Sequence, residues 1–188
     1  MELYTAVYGL TDRGNYNSSI SNRLELPTKI MHAGGAINSR TYTNSFEALN
    51  QNYQKGFLFF ELDFDLTTDN IPVCIHGWEQ SVLFEGGIEG TAYKFRDFVI
   101  AKRKDSLTSL TMYSLMDWLK KHPKSYIITD VKSDNIKVLK IISKLYPKMR
   151  SRFIPQIYSF NQYKPVRLMG YNNIILTLYR SSYSDDIV

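Results

Sequence analysis

Cysteine is almost absent. Cys74 alone occurs among 188 residues, inside the apolar run Val-Cys-Ile-His, so neither a disulfide framework nor a thiolate metal centre can be built within the chain. It reads as a small buried hydrophobe. Long apolar runs are missing too: no segment approaches the roughly 18 consecutive apolar residues of a membrane-spanning helix, and the N-terminus lacks the basic start, apolar stretch and cleavage site of a secretory leader. A soluble chain is expected, cytoplasmic or peripheral to a membrane, with any membrane association left to parts outside it. A dominant charge is also lacking, because 23 Lys and Arg are interspersed with 18 Asp and Glu for a net charge of +5. The one local basic cluster, Ala-Lys-Arg-Lys-Asp at 101–105, is no stripe interleaved with exposed aromatics, which argues against a nucleic-acid partner. A modest positive field would attract a phosphate-bearing small molecule or an anionic membrane surface. No repeat or low-complexity tract is present.

What the sequence does have is apolar substance, 44% hydrophobic and 14% aromatic, enough for one globular domain with a core. Residues 1–26, polar and rich in Asn and Ser, read as an irregular arm, and the organised domain runs over 27–188. Thr28–Gly35 reads as a short strand closing on glycines. Helix punctuation follows at 43–56: Asn44 or Ser45 as cap, Glu47 in the first turn, Phe46, Leu49 and Tyr53 at helical spacing, and Gly56 as stop. Strands are expected at 57–65 and 71–76, separated by a turn. Residues 77–107 lose all period and read as an insertion. Beyond it lie a helix capped by Ser109 or Thr111 and stopped at Pro123, a strand at 125–132, and an amphipathic helix after Asp134. A strand at 152–160, a short helix interrupted at Pro165 and a strand at 173–181 complete the chain.

Strands alternating with amphipathic helices imply a parallel sheet wrapped by helices. About six strands are counted, whereas an eight-unit TIM (β/α)8-type barrel takes roughly 250 residues. The expectation is an α/β barrel of that type, incomplete by about two units. The final Ser-Ser-Tyr-Ser-Asp-Asp-Ile-Val resembles the capped start of a further helix, so Val188 is not expected to be the natural end.

Polar residues sit where such a barrel places its chemistry. In Phe59-Phe60-Glu61-Leu62-Asp63-Phe64-Asp65, the three acids occupy alternate positions and therefore one face of a strand. His32, His76, Asp130 and Lys132 fall at the ends of other strands. In a barrel of parallel strands these ends meet at one mouth. Two imidazoles, three carboxylates and an ammonium there amount to a cation site with an acid/base pair beside it. Asp65, nearer the strand exit, reads as a loop or salt-bridge residue, and His122, at a helix C-terminus, as structural.

The stretches HAGG, TNSFEA, GFLFFELDFDLTTDNIPVCIHG and LTMYSLMDWLKKHPKSYIITDVK resemble the glycerophosphodiester phosphodiesterase family, within the phosphatidylinositol phospholipase C-like barrel superfamily. The resemblance covers residues from about 28 to 180, and RFIPQIYSFNQY and NNIILTLYR look like a bacterial branch of it. It implies His32 and His76 as the catalytic histidines and Glu61, Asp63 and Asp130 as metal ligands. Lys132 is implied as a phosphate contact and Asn44 as a polar neighbour of metal or substrate. Three positions depart from the family pattern: Ala33 stands for a phosphate-gripping arginine, Gly77 for an aspartate and Asp130 for a glutamate.

The function so implied is metal-dependent hydrolysis of glycerophosphodiesters or related polyol phosphodiesters, a reaction of lipid metabolism, with calcium or magnesium as cofactor. His32 would act as base and His76 as acid. Aromatics of the insertion, Trp78 among them, would cover the mouth, and Gln156, Tyr158 and Arg180 are secondary candidates for substrate contact. The alternative is a non-catalytic phosphate- or carbohydrate-binding module on a degenerate barrel.

Overall fold

A computed structural model describes Leu24 and residues 27–178; the expected arm, apart from Leu24, and Arg180 lie outside the described residues. The helices are α1 (Phe46–Gln54), α2 (Phe95–Ile100), α3 (Met112–Lys121), α4 (Asn135–Leu145) and α5 (Tyr163–Leu168). The strands are β1 (Phe59–Leu66), β2 (Pro72–Cys74), β3 (Tyr126–Val131), β4 (Phe153–Ile157) and β5 (Ile175–Leu176). They form one sheet in the order β2-β1-β3-β4-β5.

Caps fix the helix starts. The Ser45 side chain accepts from the Ala48 N–H, Asp134 from that of Lys137, and Thr111 forms a reciprocal capping box with Ser114, each satisfying amide donors that a helix start leaves orphaned. Pro165, expected to interrupt a helix, instead lies within α5. It occupies the first turn, where its missing N–H deprives the helix of no bond.

Two strand expectations change. The segment at 28–35 is no strand: Met31 alone makes a parallel bridge to Phe60, its N–H donating to Phe59 O and its carbonyl accepting from Glu61. From His32 the chain turns at once into a 3-10 turn, with Ala33, Gly34 and Gly35 all at positive φ. The second change is the direction of β2, which pairs antiparallel with the end of β1, Cys74 opposite Phe64 and Pro72 opposite Leu66. The turn over 67–71, tightened by Ile71 donating to Thr67 Oγ1, is far too short for a parallel crossover, which takes a dozen or more residues.

The remaining neighbours are parallel, β1 with β3, β3 with β4 and β4 with β5. One face of the sheet carries Phe60, Leu62, Phe64, Ile127, Val131, Phe153 and Ile157 against Leu49 of α1, Met116 and Leu119 of α3, and Val138, Leu139 and Ile142 of α4. The other face begins with a separate apolar layer of one residue per parallel strand: Phe59, Ile128, Ile154 and Ile175. Two residues further along each strand come Glu61, Asp130, Gln156 and Thr177, and two further still Asp63, Lys132 and Tyr158. The period of two thus stacks a polar double layer on an apolar floor.

Residues 77–107 pack onto the β2 arm: Phe84 and Phe98 cluster with Val73 and Ile75, and Trp78 and Tyr93 pack against them. Leu62 is fully buried beneath the site strand. Leu62→Ala is expected to lower stability by about 2–5 kcal/mol through the lost contacts and the cavity left behind; urea unfolding checks this, with the midpoint falling and the slope unchanged.

Candidate active site

Glu61 and Asp63 are both buried, 6% and 0% exposed, and each has a different set of donors. Ala33, held at φ 49°, aims its N–H at Glu61 Oε2 from 2.8 Å. Glycine is required two residues on: Gly35 lies at φ 92°, and a Cβ on it would stand 2.4 Å from Asn52 Nδ2. That amide is engaged in tying the turn to α1, donating to the carbonyls of Gly34, Ala36 and Ala48.

Asp63 is gripped more fully. Asn44 Nδ2 donates to Asp63 Oδ2 at 2.8 Å while Asn44 Oδ1 accepts from the Asp63 N–H at 3.0 Å. Lys132 Nζ lies 2.7 Å from Asp63 Oδ1 and donates to Asp130 Oδ2, also at 2.7 Å. The other Asp130 oxygen accepts from the Tyr158 hydroxyl, which itself accepts from the Val131 N–H.

The histidines reach these acids by different routes. His32 follows the Met31 bridge, and its Nε2 stands 3.6 Å from Glu61 Oε2. His76 is carried back along β1 by the hairpin, because the Ile75 N–H donates to Asp63 O; its Nδ1 lies 3.1 Å from Asp63 Oδ1, close but out of hydrogen-bond alignment. His32, His76, Asp130 and Lys132 line one cleft of about 960 Å³, together with Tyr42 and Arg103.

Electrostatics divide the two acids of β1. Burial, then the Asp63 carboxylate beside it, push the Glu61 carboxyl well above its ordinary range. Burial opposes ionisation of Asp63 as well, but His76, Lys132 and Asn44 overcome it and hold its pKa down to about 2. Lys132 is raised in turn: burial works against its ammonium, and Asp63 and Asp130 outweigh it. Burial lowers the His32 imidazole, favouring the neutral form.

One oxygen each of Glu61, Asp63 and Asp130 lie within 4.8 Å of one another. Glu61 Oε1 is buried without a hydrogen-bond partner, a costly arrangement unless something cationic meets it. Three hard oxygen donors with one orphaned lone-pair set fit a calcium- or magnesium-type cation.

The structure therefore brings together His32, Asn44, Glu61, Asp63, His76, Asp130 and Lys132. Two expected substrate contacts are engaged by other partners. Trp78 donates through its indole N–H to Leu66 O and packs near Tyr93 and Phe98. Gln156 lies in the same layer as Glu61 and Asp130, its Oε1 accepting from Thr177 Oγ1. Asp65, buried, caps its own neighbour by accepting from the Leu66 N–H, and His122 closes α3 stacked on Trp118. Tyr42, unmarked by any pattern in the sequence, lies against both imidazoles.

No family profile matches the chain, and no curated protein sequence is similar enough to count as a relative. Solved structures do match. A glycerophosphoryl diester phosphodiesterase from Parabacteroides distasonis is 18% identical, with a TM-score of 0.60 over 77% of this chain and 51% of its own. A putative glycerophosphodiester phosphodiesterase from Galdieria sulphuraria is 11% identical, with a TM-score of 0.62 over 81% and 65%. An Oleispira antarctica phosphodiesterase, solved with its product sn-glycerol-3-phosphate, is 12% identical, with a TM-score of 0.62 over 86% and 71%. The chain has the fold of these phosphodiesterase barrels and spans about half the length of the first of them, as an incomplete barrel does.

The opposite shifts of the two acids give opposite stability effects. Glu61, raised in the folded state, favours folding at pH below its unfolded pKa and costs stability as pH rises through the raised value; Asp63, depressed, contributes stability above its unfolded pKa that is lost as pH falls toward about 2. In EDTA at neutral pH, Glu61→Gln is expected to melt above the parent protein and Asp63→Asn below it. Thermal unfolding by circular dichroism checks both signs.

Proposed function

We propose that the protein is a metal-dependent phosphodiester hydrolase acting on glycerophosphodiesters or related polyol phosphodiesters. The observation that carries this reading is the pair of imidazoles opening on one cleft, each beside a buried acid of the same strand: His32 at 3.6 Å from Glu61 and His76 at 3.1 Å from Asp63. The shared fold, and the glycerol phosphate bound by the Oleispira antarctica enzyme, support the substrate class.

Glu61, Asp63 and Asp130 would hold a divalent cation, calcium or magnesium, which when bound supplies neutralisation of charge on the phosphoryl oxygens. His32, favoured in its neutral form by burial, removes the proton from the attacking hydroxyl, either the substrate's own glycerol hydroxyl or water. His76, whose Nδ1 lies beside the Asp63 carboxylate, protonates the departing oxygen. Lys132, fixed between Asp63 and Asp130, presents its ammonium to the phosphate. Ala33, fully buried, carries no guanidinium, so binding rests on Lys132 and the walls of the cleft.

Turnover of a chromogenic phosphodiester and a panel of glycerophosphodiesters, with calcium or magnesium, tests the proposal. EDTA is expected to abolish the reaction, and His32→Ala and His76→Ala each to lower kcat by about 10²–10⁴-fold, the usual contribution of a positioned acid or base. Diester binding without turnover by the parent protein would select the binding-module reading instead.

A further inference from the structure

Neither imidazole is fixed by an aligned hydrogen bond to the acid beside it. His32 Nε2 is too far from Glu61, at 3.6 Å, and His76 Nδ1 has no aligned partner. Each ring nonetheless needs a defined orientation if its nitrogen is to meet a proton within about 2.6–3.2 Å. What the two share is one phenol. The Tyr42 ring packs edgewise with His32 at a centroid distance of 4.7 Å and an interplanar angle of 86°, and with His76 at 5.0 Å and 68°, both within the range of favourable aromatic pairs.

Tyr42 is itself held in an unfavourable backbone state. Its φ of 56° is the left-handed region that a bulky side chain rarely enters, and such strain persists only where the surroundings impose it. They do so here from several sides. Ile37 and Arg40 close a tight antiparallel bridge just before it. Gln80 Nε2 donates to the Tyr42 carbonyl while Gln80 Oε1 accepts from the His76 N–H, which couples the tyrosine to the backbone of the very histidine its ring touches. Arg103 Nη1 donates to Thr43 O, and the Asn44 N–H to Ala33 O. The Tyr42 hydroxyl makes no hydrogen bond among the described residues, so it is the ring that is placed.

We infer that Tyr42 is the positioning residue of the histidine pair, a single aromatic wedge that fixes the side-chain torsions of both imidazoles against the acids of β1. Its effect lies on orientation and not on substrate affinity, although the ring borders the cleft. A residue that merely gripped substrate would change KM; one that orients the acid and base changes kcat. The kinetic part of this inference rests on the phosphodiesterase reading, whereas its geometric part does not.

The test combines kinetics with spectroscopy on the full chain. Tyr42→Leu is expected to lower kcat by about tenfold to a hundredfold, as small misplacements of catalytic groups do, with KM held within about twofold. Tyr42→Phe, which keeps the ring, restores the parent value. In NMR, the side-chain torsions of His32 and His76, read from three-bond couplings and assigned with His32→Gln and His76→Gln, are expected to average over several rotamers in Tyr42→Leu and to stay single in Tyr42→Phe, a change that loss of the ring current alone would not produce. Should Tyr42→Leu fail to fold, Gln80→Ala, which releases the Tyr42 carbonyl, is read in the same way. If the parent protein turns over no diester, the proposed function falls and the imidazole torsions alone decide. Unchanged imidazole torsions, or a raised KM with kcat unchanged, overturn the inference.

Discussion

The period of two along β1 places Glu61 and Asp63 on one buried face, one above the other, and their mutual repulsion is what the surroundings are arranged to meet. Lys132 from β3 bridges Asp63 and Asp130, Asn44 grips Asp63 with both ends of its amide, and the strained Ala33 turn delivers an N–H to Glu61. Compensation is uneven. Asp63 ends ionised and Glu61 resists ionisation, with one Glu61 oxygen left without a partner. A buried carboxylate pair short of positive charge is relieved either by a proton on Glu61 or by a cation, and the proposed function rests on the cation.

The chain path brings two imidazoles to these acids. The apolar floor of Phe59, Ile128, Ile154 and Ile175 sets the depth of the polar layers, so the acids sit at a defined height within the barrel. The β1–β2 hairpin then brings His76 back down to the level of Asp63, and the single bridge at Met31 delivers His32 to that of Glu61. Two imidazoles separated by over forty positions in sequence thus meet a common cleft because both flank the same edge of one strand. The left-handed loop through Tyr42 closes the gap between them.

Much of this was legible in the sequence for local reasons. Alternation in Phe59–Leu66 reveals the strand and its acid face, and the pairs Asn44/Ser45 and Ser109/Thr111 bracket two helix starts because capping is a short-range interaction, the structure selecting Ser45 and Thr111. The direction of β2 was less accessible: its apolar run looks like any parallel strand, and only the brevity of the 67–71 turn betrays an antiparallel return. The segment 28–35 resembles a strand closing on glycines, whereas the positive φ values that break it depend on packing against α1. Trp78 drew a functional reading from its place after His76, yet its bulk is absorbed by a core that the irregular segment 77–107 does not reveal by period. Tyr42 carries no signal at all, since a left-handed tyrosine owes its conformation to contacts from Gln80 and Arg103, distant in sequence.

The central claim is that Glu61, Asp63 and Asp130 together bind one divalent cation. Its most direct measurement is anomalous diffraction from crystals of the protein soaked in manganese, a scatterer with the same preference for oxygen donors. A single strong peak is expected within about 2.0–2.6 Å of an oxygen from each of the three carboxylates. A peak confined to other residues, or none while Lys132 still bridges Asp63 and Asp130, would contradict it.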